Sequence, residues 1–190
     1  NNVKYQKRTP ELAVPEAQKS VPKSTPWGDM TYLEYKYRVE FEKPEYDIID
    51  AYCKDKGMTW SASPWDMPSL EFLLQYDVPY IKIASASNGR DEMIAEAAKS
   101  GKPVILSTGM TTMDEIDHAV EVLEKNGHGD YILMHTNSAY PAPVKDLNMR
   151  MIQTLKDRFD CLVGYSGHEE NLEPTIAAVV LGARCIARHV

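Results

Sequence analysis

From Lys56 onward the chain alternates two apolar patterns. Short continuous runs, in "VPYIKIAS", "VILSTGM", "YILMHT" and "CLVGYS", suit strands buried on both faces, as parallel strands are. Each run is followed by a segment of helical period. In "TTMDEIDHAVEVLEKNG", Ile116, Val120 and Leu123 make one apolar stripe, with Thr112 and Glu115 placed for a capping box at its start. Gly57, Gly101, Gly127 and Gly182 fall where a helix should stop before the next strand.

Strand centres near residues 5, 60, 82, 105, 133, 163 and 187 predict seven strands, and the last five intervals are 22, 23, 28, 30 and 24 residues. Each interval fits one strand, one helix and two short loops. That regularity predicts an α/β fold of the TIM-type (β/α)₈ barrel kind, with an eighth strand before Asn1. An open doubly wound sheet is the alternative, but its glycine-rich GxGxxG turn is not in the sequence. Both ends read as strands with nothing to cover them. The expectation is therefore a partial barrel over residues 1–190, cut from a longer protein and lacking its first strand and last helix.

One connection breaks the rhythm. Residues 7–35, rich in Lys and Pro, read as a long β–α loop over the surface, before a helix from Lys43 to Lys56. Long loops in compact domains are usually lids or disordered. The lid reading is favoured because Trp27, Tyr32, Tyr35 and Tyr37 give it material to pack.

Composition narrows the partners. With 21 basic against 28 acidic residues the formal charge is −7, which argues against nucleic acid or an anionic membrane. The longest apolar stretch, "IAAVVLGA", is too short to span a bilayer, and no signal-peptide pattern is visible. Cys53, Cys161 and Cys185 lie far apart without CxxC spacing, so a reducing, cytoplasmic compartment is expected.

In a barrel, catalytic groups collect where strands end. Those positions hold Lys4 and Gln6; Ser61 and Ser63; Lys82, Ser85 and Ser87; Ser107 and Thr108; His135, Ser138 and Tyr140; Ser166 and His168; and His189. Cations and small hydroxyls dominate this set, which suits a phosphate or carboxylate ligand. Lys82 alternates with Ile81 and Ile83 and so points away from them, toward the barrel interior; Lys4 in "VKYQ" repeats the arrangement. One such lysine would read as a side chain snorkelling to the rim. Two favour a shared anionic ligand, with a Schiff-base lysine as the sharper alternative.

His168 and His189 close successive strands. A single strand-end histidine is more often an ordinary core or acid-paired one, but a pair could hold a metal open to water and substrate. His135, inside a strand, reads as a hydrogen-bonded core histidine, and His118 and His128 as solvated. Ser107-Thr108-Gly109 closes its strand in a tight turn, weak evidence alone.

Taken in order, "VKYQ", "TPWGDMTYLEYKYRVEF", "SPWDMPSLEFL", "VPYIKIAS", "VILSTGM", "NSAYP", "GYSGHE" and "ARHV" resemble the sialic acid synthase family, which includes N-acetylneuraminate synthase and its legionaminate and pseudaminate relatives. The resemblance implies a (β/α)₈ barrel followed by a small antifreeze-like domain, in a homodimer. It implies metal-dependent condensation, usually with Mn²⁺, of phosphoenolpyruvate with an N-acetylated aldose. Lys4, Lys82, Ser85, Ser107 and Ser166 would then bind phosphoenolpyruvate, His168 and His189 the metal, and Ser138 and Tyr140 the amino sugar. Lys82 becomes a charge clamp and forms no imine.

The chain departs from the family at several points. The first-strand Glu, the acid after the last strand and the antifreeze-like domain are not in the sequence; Ser87 stands where an acid is common, and Ala187 where Glu is usual. The alternatives are a 3-deoxy-octulosonate phosphate type of synthase, or a non-catalytic anion-binding barrel. A metal hydrolase fits poorly with so few strand-end carboxylates.

Overall fold

The computed structural model describes residues 2–189. The chain divides into two compact units, Asn1–Pro79 and Tyr80–Val190.

In the first unit, β1 (Asn2–Lys7) pairs in parallel with β4 (Thr59–Pro64), setting Lys4 opposite Ser61 and Gln6 opposite Ser63. Between them the expected loop over 7–35 has secondary structure of its own. It forms one-turn helices α1 (Pro10–Ala13) and α2 (Glu16–Lys19), the antiparallel hairpin β2 (Pro22–Thr25) and β3 (Gly28–Thr31), and the start of α3 (Tyr32–Val39). A reciprocal Thr31–Glu34 capping box starts α3. The aromatic material packs mainly through cations: Lys23 and Lys36 lie over the Tyr32 and Tyr35 rings, and Arg38 over Trp27. Then α4 (Lys43–Asp55) sends the fully buried Tyr46 against Trp60 of β4 and Phe72 of α5 (Met67–Leu73). The Asp66 carboxylate caps α5, accepting from the Ser69 amide at 2.9 Å.

The second unit is one parallel sheet in strict chain order: β5 (Ile81–Ile83), β6 (Val104–Ser107), β7 (Tyr131–Thr136), β8 (Leu162–Gly167) and β9 (Cys185–Arg188). Helices α6 (Asp91–Lys99), α7 (Met113–Asn126), α8 (Met151–Arg158) and α9 (Glu173–Val180) make the crossovers. Ile116, Ala119, Val120 and Leu123 are buried along α7, and the Thr112–Glu115 capping box is formed. The order shows no reversal, the mark of a doubly wound sheet, among the described residues.

The sheet is also curled. The positive charge of Lys82 on β5 acts on Cys185 of β9 and on His168 just past β8. Laid flat, β5 and β9 would stand about 19 Å apart, four strand spacings, too far for such influence through solvent. Among the described residues, no helix is long and apolar enough to cross a membrane.

Candidate active site

The polar strand exits of the second unit form two groups. At the β5 and β6 exits, the Lys82 ammonium is buried (6% exposed) and donates to Ser107 Oγ at 2.7 Å. Ile81, Lys82 and Ile83 are all buried, so the alternation that turns Lys82 away from the two isoleucines still leaves it inside the protein. Ser85 lies in a short 3₁₀ turn (Ser85–Ser87) and accepts from the Gly109 amide at 3.1 Å. A methyl group on Gly109 would collide with Ser138 Oγ, and would meet Thr136 Cγ2 at 2.8 Å and Ser85 Oγ at 2.9 Å. Gly109 thus lets the β5, β6 and β7 exits close on one another. Its "STG" turn, weak as a motif, has a packing reason.

The second group stands at the β8 and β9 exits. Register pairs Ser166 with Ala187 and Gly167 with Arg188, so the next residues along, His168 and His189, leave the sheet side by side. Their rings lie 5.2 Å apart, edge to face. His168 Nδ1 is 2.6 Å from the Asn137 carbonyl, which can only accept, so Nδ1 carries the proton and neutral His168 keeps its lone pair on Nε2. That Nε2 lies 2.9 Å from Tyr140 Oη, and His189 Nε2 lies 3.2 Å from the same oxygen. Burial, then the charges of His189 and Lys82, pull the His168 pKa below its ordinary value, although the Asn137 bond opposes them. The neutral ring is favoured, which is the form that binds a metal.

Both nitrogens converge on the Tyr140 hydroxyl, so a divalent ion that took them as two of its ligands would displace that hydroxyl. Among the described residues no group of three or more His, Cys, Asp or Glu is placed to hold a metal.

Other predicted positions fall as follows. Ser166 is buried on β8, and its carbonyl accepts from Thr136 Oγ1 at 2.7 Å. Ser138 packs against Gly109. Buried His135 lies 2.7 Å from the Leu147 carbonyl through Nε2, a hydrogen-bonded core histidine. His118 is exposed and paired with Asp91, and His128 is exposed. Lys4 belongs to the first unit, half-buried on β1, with its pKa lowered by burial. An open cleft of about 640 Å³ runs beside the second unit's cluster, lined by Thr108, Gly109, His135, Ser138, Asp146 and Met151 among others. It borders Ser138, while Lys82, Ser107, Tyr140 and His168 are not in its wall.

Three contributors are not evident from sequence. Asn137 acts through its backbone carbonyl, which no residue type encodes. Glu169 and Arg188 look like solvated charges, yet they meet in an ion pair whose carboxylate is buried and whose guanidinium is half-buried. The one local hint is Gly167, whose missing side chain leaves them room.

A curled parallel sheet in chain order, with its polar residues at the carboxyl ends of the strands, defines the class of barrel-type α/β proteins. Within that class the chain belongs to the NeuB family, whose profile matches residues 1–190. It is 41% identical over 86% of its length to the N-acetylneuraminate-9-phosphate synthase of Drosophila melanogaster, covering 44% of that protein. It is 32% identical over 85% of its length to the N,N'-diacetyllegionaminic acid synthase of Campylobacter jejuni, covering 49%. The N-acetylneuraminic acid synthetase of Leptospira borgpetersenii, solved in complex with citrate, superposes with a TM-score of 0.87 at 31% identity, over 99% of this chain and 61% of that one. A Thermotoga maritima DAHP synthase shares the fold alone, with a TM-score of 0.65 at 18% identity over 74% of this chain and 44% of that one. The chain spans somewhat under half the length of these curated relatives.

Proposed function

We propose that the full-length protein condenses phosphoenolpyruvate with an N-acetylated aldose of the N-acetylmannosamine type, giving a nonulosonic acid and inorganic phosphate. The observation that carries this reading is the pairing of two unlike groups in one curled sheet: a buried ammonium on a serine hydroxyl, and two imidazole nitrogens converging on the Tyr140 hydroxyl. The first suits an anion and the second a cation.

In this reading Lys82 and Ser107 hold the carboxylate or phosphate of phosphoenolpyruvate, and the family likeness adds Ser85, Ser166 and Lys4 to the residues that bind it. A preorganised ammonium in a water-poor site stabilises charge with little reorganisation. C3 of phosphoenolpyruvate bonds to the aldehyde carbon of the open-chain sugar, water adds at C2, and the C2–oxygen bond to phosphate breaks. His168 and His189 would hold a divalent metal, Mn²⁺ by family likeness. When bound, that ion would supply Lewis-acid polarisation of the aldehyde oxygen. Asn137 keeps His168 in the ligating tautomer, while Ser138 and the Tyr140 hydroxyl face the sugar. The same reading makes the full-length enzyme a cytoplasmic homodimer on a complete (β/α)₈ barrel.

The test is an assay of the full-length protein with phosphoenolpyruvate, Mn²⁺ and three acceptors: N-acetylmannosamine, its 6-phosphate, and arabinose 5-phosphate. Phosphate release with either amino sugar is expected, and the preferred one sets whether the sugar is phosphorylated. Product from the pentose phosphate alone would overturn the proposal.

A further inference from the structure

The residues flanking the two histidines form a contact that the proposed chemistry does not use. Glu169 follows His168, and Arg188 precedes His189. Since successive residues of a strand face opposite sides, Arg188 lies on the face opposite His189. There its Nη1 meets Glu169 Oε1 and stands 3.3 Å from Thr175 Oγ1 of α9, while Nη2 donates to the Glu169 carbonyl at 2.6 Å. Tyr165 of β8 donates to Glu169 Oε2 at 2.8 Å, and Thr175 Oγ1 lies 3.4 Å from Oε1. The carboxylate is thereby engaged at both oxygens, and its side chain is only 1% exposed.

Burying the Glu169 carboxylate against a half-buried guanidinium is costly, and apolar packing would often serve stability as well. The local sequence also makes room for this pair. A methyl group on Gly167 would lie 2.6 Å from Arg188 Nη1 and 2.7 Å and 2.9 Å from the two Glu169 carboxylate oxygens. Gly167 stands opposite Arg188 in the β8–β9 register, one step before the histidines. The brace therefore crosses the strand junction that sets their separation.

We propose that Glu169 and Arg188 are positioning residues that hold His168 and His189 at the spacing a divalent cation requires. This rests on the reading of those histidines as metal ligands. Without the brace, the β8 and β9 exits could shift relative to each other while the strands below stay paired. Partners that orient metal ligands typically matter by about 10–100-fold in metal affinity.

The test measures Mn²⁺ binding directly, from the electron paramagnetic resonance signal of free Mn²⁺, in the full-length protein and its Glu169→Gln, Arg188→Met, Arg188→Lys and His168→Ala variants. Circular dichroism checks folding. Glu169→Gln and Arg188→Met are expected to weaken Mn²⁺ binding about 10–100-fold, and Arg188→Lys to recover part of the loss. Phosphoenolpyruvate affinity, measured without metal, should stay within about two-fold of the parent. If both brace variants bind Mn²⁺ as tightly as the parent while His168→Ala does not, the pair is merely structural and the proposal falls. The charge-retaining Arg188→Lys keeps that comparison available should Arg188→Met fail to fold. Unchanged Mn²⁺ binding in His168→Ala would instead overturn the metal reading itself, and the brace with it.

Discussion

The two ends of the five-stranded sheet solve opposite electrostatic problems with the same architecture. At β5 and β6, the strand exits bring together a buried ammonium and two serine hydroxyls, which accept from Lys82 and from the Gly109 amide and keep their own protons to donate. At β8 and β9 they present two imidazole nitrogens, with the His168 tautomer fixed by a backbone carbonyl. Burial first, then the charges of His189 and Lys82, lower the His168 pKa and favour its neutral form, against the Asn137 bond. What differs is support. Lys82 is buried and donates to Ser107, whereas the histidines stand above an ion pair with a buried carboxylate, a tyrosine and a glycine that makes room.

The largest effect should come from breaking the histidine end. His168→Ala in the full-length protein is expected to abolish metal-dependent turnover, a loss of at least about 10³-fold, while circular dichroism remains that of the parent. Normal turnover would refute the ligand role.

Breaking the donor end should cost less and in a different parameter. Lys82→Met is expected to lower turnover about 10²–10³-fold, with a raised KM for phosphoenolpyruvate in steady-state assays. Unchanged kinetics would remove Lys82 from the site.

Gly109→Ala attacks the packing that draws the donor exits together. A Cβ there has no free space against Ser138, Thr136 and Ser85, so destabilisation of about 1–3 kcal/mol by urea unfolding is expected, the usual range for overpacking. A variant as stable as the parent would mean the three exits can part freely.

The smallest effect is in proton titration, where two histidines should move in opposite directions from the ordinary value of 6.5. Burial and positive neighbours lower His168, whereas the Asp91 hydrogen bond and charge raise exposed His118. For His168 the sign is that of a depressed base: its contribution to stability is present above 6.5 and is lost as pH falls toward its folded pKa. For His118 the contribution is present below 6.5 and is lost as pH rises through its folded pKa. NMR titration should give a His168 midpoint below that of His118, with Asp91→Asn lowering only the latter. The reverse order would contradict both placements.

Much of this was legible in the sequence. Continuous apolar runs marked β5 to β8 because strands buried on both faces leave no polar alternation to confuse them. The hairpin β2–β3 was hidden because "PKST" and "GDMT" hold almost no apolar signal, and α1 and α2 because a single turn has no period to detect. His168, His189 and Lys82 could be picked out because position at a strand exit is a sequence property. The brace could not, since Glu169 and Arg188 next to a turn look solvated until the register brings them together. Asn137 shows the same limit more sharply, because its bond to His168 depends on where its backbone lies and not on its side chain.

The division of labour between the two ends is tested most directly by a crossed binding measurement on the full-length protein. Mn²⁺ and phosphoenolpyruvate affinities are determined separately, by calorimetry, for Lys82→Met and His168→Ala. The account predicts that Lys82→Met loses phosphoenolpyruvate and retains Mn²⁺, while His168→Ala loses Mn²⁺ and retains phosphoenolpyruvate. If either variant loses both ligands while still folded, or if the losses are exchanged, the two ends do not do separate work and the account is contradicted.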